Sequence, residues 1–179
     1  MFRGPLTYGA AADDEVDWGL FDVVSVNYYA YHPRREDYVR ELRAYQRWGK
    51  PVAISECGTC AYEGAPQAGG MGWNVIDYSK PEPEIRGNLA RSERTQAEYL
   101  GQVLDVFDSM GLYAAMVYNF VNPELPHRAE PRLDLDMAGY GLVKPIRERP
   151  SDPDSEWHWE PKESFHAVAR RFRRSTSRI

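Results

Sequence analysis

Gly49-Lys50-Pro51-Val52-Ala53-Ile54-Ser55-Glu56-Cys57-Gly58 is an apolar run that ends on a carboxylate followed at once by a glycine. Its β-branched residues predict a buried strand, and a period of two places Val52, Ile54 and Glu56 on one face, apolar until its last position turns ionisable. Parallel α/β architectures carry their chemistry at the carboxyl ends of strands. Glu56 is therefore the first candidate for a functional side chain.

The chain before this run supplies two more elements of the same kind. Phe21 to Tyr29 is rich in β-branched residues and nearly continuous in apolar character, which predicts a strand, and Arg35 to Trp48 carries Tyr38, Val39, Leu42 and Tyr45 at helical spacing before Gly49. Pro5 to Gly9 predicts a shorter strand. After Glu56 an irregular stretch, 59–89, holds Gly64, Gly69, Gly70, Gly72, Pro66, Pro81 and Pro83, together with Tyr62, Trp73 and Tyr78. Loops of this length in a compact domain are functional or disordered, and the aromatics favour function. Ser92 and Thr95 open a helix whose face is Tyr99, Leu100, Val103, Leu104, Phe107 and Met110, with Gly111 as terminator. Leu112 to Phe120 is the fourth strand, and 121–144 a second long loop with Glu124, His127, Asp134 and Asp136. Pro145 to Asp154 is a polar connection, and Pro161 to Phe172 a last helix with Phe165, Val168, Ala169 and Phe172 inward. A basic tail, 173–179, closes the sequence.

Strand–helix alternation implies an α/β fold with a parallel sheet, so the strand ends share one rim. That rim gathers Tyr8, Asn27, Tyr29, Glu56 and Tyr118 or Asn119. A carboxylate among tyrosine hydroxyls and amides suits a sugar or polyol, with Trp73, Tyr62 and Trp18 as flat aromatic platforms.

The chain has 179 residues, 42% hydrophobic, 13% aromatic and 27% charged, the composition of a folded globule that dissolves in water. A complete (β/α)8 barrel needs about 250 residues and rarely fewer than about 200. The net charge of −5 gives no electrostatic reason to expect nucleic acid. No apolar run approaches the ~20 residues of a membrane span, and the N-terminus lacks the plan of a signal peptide, so the expectation is a cytoplasmic protein with no membrane partner. Cys57 and Cys60 form a C-x-x-C that follows a strand instead of opening a helix, which favours two free thiols over a redox pair, and zinc would need further ligands. No metal and no cofactor are expected.

Pro51 to Gly58 resembles the seventh strand of the retaining glycoside hydrolase clan that includes cellulases, β-mannanases and β-galactosidases. Asp22 to Tyr29 resembles its sixth strand, Leu6-Thr7-Tyr8 its fifth and Ala114 to Phe120 its eighth, with Tyr118 or Phe120 where that clan usually has a tryptophan. A resemblance over nearly the whole chain is to actinobacterial glycoside-hydrolase-like barrels labelled abortive infection (phage resistance). It is carried by Gly69-Gly70-Met71-Gly72-Trp73, Leu125-Pro126-His127-Arg128, Asp134-Leu135-Asp136-Met137-Ala138, Tyr140-Gly141-Leu142-Val143-Lys144 and Trp159-Glu160-Pro161-Lys162.

These resemblances imply one partial (β/α) barrel domain over 1–179, strands five to eight, with Glu56 as nucleophile and Tyr29 supporting it. Tyr8, Asn27, Trp73, Tyr118 and His127 are the implied substrate contacts, His127 having the alternative of a loop histidine bonded to a backbone carbonyl. A retaining glycosidase needs a second carboxyl about 5–5.5 Å from the first. In that clan it ends strand four within an Asn-Glu pair, and no Asn-Glu dipeptide occurs here. Glu124, Asp134 or Asp136 would have to substitute, or a separate N-terminal half-barrel would have to supply the acid. Unpaired outer strands also predict a homodimer or pairing with such a half. The competing reading is a non-catalytic carbohydrate-binding or phage-defence barrel protein.

Overall fold

A computed structural model describes residues 3–150 and 152–176, with side chains as far as Arg173. In chain order the elements are β1 (Gly9–Ala10), β2 (Val24–Asn27), α1 (Arg35–Gln46), β3 (Val52–Cys57), β4 (Ile76–Asp77), β5 (Glu84–Ile85), α2 (Glu93–Ser109), β6 (Ala114–Val117), β7 (Val143–Arg147), β8 (Trp157–Pro161) and α3 (Glu163–Thr176). Short 3₁₀ turns lie at Trp18–Leu20, Ala65–Met71 and Leu135–Ala138. The chain forms two compact units, one made of the chain through Cys57 with Gln102–Val117, the other of Gly58–Gly101 with Tyr118 onward.

The first unit is a four-stranded sheet in the order β1-β2-β3-β6, every pair parallel. Its apolar side is packed by α1 and the second half of α2: Val24, Val26, Ile54, Tyr38, Leu42, Val103, Val106 and Phe107 are all buried. The Tyr28 ring meets Phe107 edge-on at 5.8 Å and Tyr38 at 6.3 Å. Each such side chain contributes about 1.5–3 kcal/mol by leaving water. α1 forms because Tyr38 and Leu42 repeat at i, i+4 while Glu36 and Asp37 sit in its first turn, where the helix dipole favours acid. It ends at Gln46, two residues before the expected Trp48. The Gly49 amide then donates to the Gln46 carbonyl at 3.1 Å, and Gly49 takes φ +65°, a conformation that favours glycine.

β3 departs from simple alternation. Val24 pairs with Val52, Ser25 with Ala53 and Val26 with Ile54, but Asn27 pairs with Glu56, so Ser55 is the extra residue of a β-bulge. Paired residues share a face, and one inserted residue moves all that follow to the other side. Glu56 therefore lies on the Asn27 face, opposite Ile54. This corrects the expectation that Val52, Ile54 and Glu56 line one face.

The second unit contains two antiparallel hairpins, β4–β5 and β7–β8. The β4–β5 turn starts at Asp77, whose Oδ1 accepts from the Ser79 amide at 3.0 Å and the Ser79 hydroxyl at 2.6 Å. Ser92 Oγ accepts from the Thr95 amide at 3.1 Å and caps α2 as its sequence predicts. Gln96, fully buried, donates from Nε2 to the Thr59 carbonyl at 2.9 Å and accepts from Ser164 Oγ at 2.7 Å.

Several expected boundaries move. The first strand is Gly9–Ala10 instead of Pro5–Gly9, because the Leu6 carbonyl takes the Asp22 and Val23 amides outside regular pairing. The fourth is shortened to Ala114–Val117, and a cis Tyr118–Asn119 peptide follows it. Pro145 to Asp154 is not merely a connection, since β7 continues to Arg147 and pairs with β8, which periodicity had not marked. Trp159 of β8 is held by the rings of Phe120 at 5.4 Å and Phe165 at 6.4 Å. In α3, Ser164 and Val168 are buried while Phe172 is exposed, because polar bonds as well as apolar burial set its inner face. Arg178 and the rest of the basic tail beyond 176 lie outside the described residues. No helix among the described residues is long and apolar enough to cross a membrane.

Candidate active site

The Glu56 carboxylate stands at the carboxyl end of β3, re-aimed by the Ser55 bulge. Tyr29 Oη donates to Glu56 Oε2 at 2.7 Å, and the Tyr28 amide donates to the Glu56 carbonyl at 2.7 Å. One dipeptide after β2 thus fixes both the main chain and the side chain of Glu56. Next to it, Ser55 Oγ donates to Asn27 Oδ1 at 2.8 Å. Gly9 lies over this pair, and a Cβ there would sit 3.5 Å from Ser55 Oγ and 3.6 Å from Asn27 Oδ1. Glu56, Tyr29, Asn27 and Ser55 form one polar cluster on one face of the sheet. Tyr8, also in this unit, turns its hydroxyl to Asp14 Oδ2 at 3.2 Å, and that hydrogen bond raises the phenol above its usual range. Ser55 escaped the sequence reading, its only signal being a hydroxyl within an apolar strand.

Of the expected aromatic platforms, Trp18 and Tyr62 are buried and offer no free face, Tyr62 donating to the Gly72 carbonyl at 2.8 Å. Trp73 and Tyr118, both in the second unit, are exposed by 44% and 40%, which leaves ring surface for a ligand. Tyr118 meets the Tyr140 ring edge-on at 5.9 Å. Gly58 is needed beside it, because a Cβ at that position would run into the Tyr118 carbonyl oxygen. Both cysteines are free and buried, and burial pushes each thiol up to about 12, so neither is a thiolate near neutral pH.

Asp134 and Asp136 are the centre of a buried ion network in the second unit. The Arg91 guanidinium reaches Asp134 Oδ2, Asp136 Oδ2 and Glu93 Oε1 at 2.8, 2.8 and 2.9 Å. Lys162 Nζ, fully buried, lies 2.8 Å from Asp136 Oδ1, and His127 Nδ1 is 2.8 Å from Asp134 Oδ1. Burial alone would raise the Asp134 carboxyl, but the His127 hydrogen bond and the Arg91 charge outweigh it and hold it below the usual carboxylate range. Burial draws the Lys162 ammonium below its ordinary value against the pull of Asp136. Asp134 is thus ionised near neutral pH, the reverse of what a proton donor needs. His127 is bonded to this carboxylate through its ring, in place of the backbone carbonyl allowed for in the sequence. Glu124 is exposed, its Oε1 accepting from Asn122 Nδ2 at 3.1 Å.

His127, Asp134 and Asp136 bring ligand atoms within 4.8 Å of one another, a spacing that fits a metal ion. Arg91 and Lys162 already supply the positive charge that a cation would bring there. The cluster reads as an ion network. Arg91 and Lys162 were not found as partners from sequence, since 43 and 45 residues separate Arg91 from the two aspartates.

No family model matches the sequence, and no curated protein does. Solved structures do match in fold, glycoside hydrolases among them. A GH113 β-mannanase from Alicyclobacillus acidocaldarius aligns with a TM-score of 0.59 at 18% identity, over 96% of this chain and 45% of its own. The β-glucuronidase of Faecalibacterium prausnitzii aligns at 0.57 and 19%, over 95% of this chain and 25% of its own. The GH2 β-galacturonidase of Eisenbergiella tayi, bound to galacturonate, aligns at 0.56 and 20%, over 94% and 27%. This chain spans less than half the length of each. At these identities the likeness is one of fold.

Proposed function

We propose that the chain is a (β/α)-barrel segment, strands five to eight, of a glycoside-hydrolase-like protein that cleaves a glycosidic bond with retention. Glu56 attacks the anomeric carbon and Tyr29 orients it, while Tyr8 and Asn27 of the same unit contact the sugar. The observation that carries this reading is the 2.7 Å bond from Tyr29 Oη to a carboxylate at the end of a central parallel strand. The fold likeness to glycoside hydrolases supports it.

Retention requires a second carboxyl about 5–5.5 Å away. With Asp134 and Asp136 held in ion pairs, a separate N-terminal half-barrel is the candidate source of that acid. β1 and β6 end the sheet, which supports such pairing or a homodimer. Ion-paired Asp134 and Asp136 also favour a second reading, in which the same face binds carbohydrate without cleaving it. The abortive-infection role belongs to that second reading, and the structures named above lend the label and its actinobacterial source no support.

A panel of mechanism-based fluoro-sugars followed by intact mass tests the proposal. The expected result is a covalent adduct on the wild-type chain, absent from Glu56→Gln. No adduct with any sugar, alongside sugar binding measured by calorimetry, would establish the second reading instead.

A further inference from the structure

Glu41 lies on α1, one turn beyond Tyr38, so both side chains face the segment that follows β2. Two donors converge on a single oxygen of Glu41. Tyr28 Oη donates to Glu41 Oε2 at 2.7 Å, and His32 Nε2 lies 2.7 Å from the same atom. Tyr38 reinforces the far end, its hydroxyl accepting from the His32 amide at 3.0 Å while its ring meets the His32 imidazole edge-on at 4.8 Å. The five residues 28–32 are thereby clasped at both ends by one helix.

Tyr29 sits inside that clasp, and it is the residue whose hydroxyl holds Glu56 Oε2. The preceding amide, that of Tyr28, holds the Glu56 carbonyl. We propose that Glu41 is a positioning residue for Glu56: by clasping Tyr28 and His32 it fixes the backbone that aims the Tyr29 hydroxyl. Neither the core nor the helix needs this carboxylate, since Tyr38 and Leu42 make the buried face of α1. Glu41 is 41% exposed, so its place beside Tyr28 and His32 is set by these two polar bonds and not by burial. A site whose supporting groups are fixed by hydrogen bonds loses its geometry when those groups are freed, even where the fold survives. The chemical importance of this clasp rests on the reading of Glu56 as the reacting carboxylate.

The test uses the full chain labelled with [ζ-13C]tyrosine and follows Tyr29 hydroxyl exchange through the deuterium isotope shift of its ring carbon, with Tyr29→Phe giving the assignment. Tyr28→Phe keeps the ring packed and removes one donor, and Glu41→Ala removes the acceptor for both. Each is expected to speed Tyr29 exchange roughly tenfold, the loss of about one hydrogen bond of ordering. Glu41→Gln, which keeps an acceptor oxygen, is expected to restore slow exchange, and Glu36→Gln on the exposed side of α1 to leave it unchanged. If Tyr28→Phe leaves Tyr29 exchange at the wild-type rate, or Glu36→Gln alters it as much, the proposal is overturned, whatever happens to Glu41→Ala. This readout needs no turnover. A wild-type chain that forms no fluoro-sugar adduct therefore defeats the nucleophile reading alone, while the exchange rates still decide the clasp.

Discussion

A phenol 2.7 Å from a carboxylate oxygen makes a charge-assisted hydrogen bond once that carboxylate is ionised, and such bonds contribute about 1.5–3 kcal/mol. With Glu56 as the proposed nucleophile, Tyr29→Phe is expected to slow its fluoro-sugar trapping roughly 10- to 100-fold with the chain still folded, as measured by time-resolved intact mass and circular dichroism. Gly58 makes a different demand, for space. Gly58→Ala must push against the Tyr118 carbonyl, and overpacking of this kind costs about 1–3 kcal/mol, to be read from urea denaturation. The place of Glu56 at the end of a buried strand was legible in the sequence because an apolar run ending on a carboxylate is a local pattern. The face it occupies was not, because the Ser55 bulge is set by pairing with β2, 28 residues away.

At the scale of elements, the ion network joins Arg91 before α2, Glu93 at its first position, residues of the 121–144 loop, and Lys162 between β8 and α3. Arg91→Ala leaves two buried aspartates short of a cation and is expected to cost about 3–5 kcal/mol in urea unfolding. Acid acts on the same cluster. The Asp134 carboxyl titrates below its unfolded value, so its stabilisation is complete above the ordinary aspartate range and is lost as pH falls through the lowered folded value. Wild-type stability should drop on acidification below about pH 4, and Arg91→Ala should flatten that dependence, as followed by thermal unfolding at stepped pH. Helical and strand periodicity revealed α1, α2, β2 and β3, whose burial is apolar. It missed β8 and misread the inner face of α3, because Lys162, just before that helix, and Ser164 within it are buried by an ion pair and a hydrogen bond that no hydrophobic pattern records.

For the whole molecule, the alternation of strands and helices was enough to expect a parallel α/β fold, and the four-stranded sheet agrees. The order within the long loops was beyond reach, because it comes from pairings such as β7 with β8. β6 is an outer strand of the sheet, Ala114-Ala115-Met116-Val117, with no charge or proline to discourage another chain, and Met116 is 52% exposed. If this edge drives association, sedimentation velocity should show self-association that grows with concentration, and Met116→Lys should leave a folded monomer. The two units, finally, are not consecutive in the chain, which passes from one to the other at Cys57–Gly58, Gly101–Gln102 and Val117–Tyr118, once within α2. No single cut of the gene separates them. Exchanging either unit as a whole between genes therefore takes three crossovers, at those same three places.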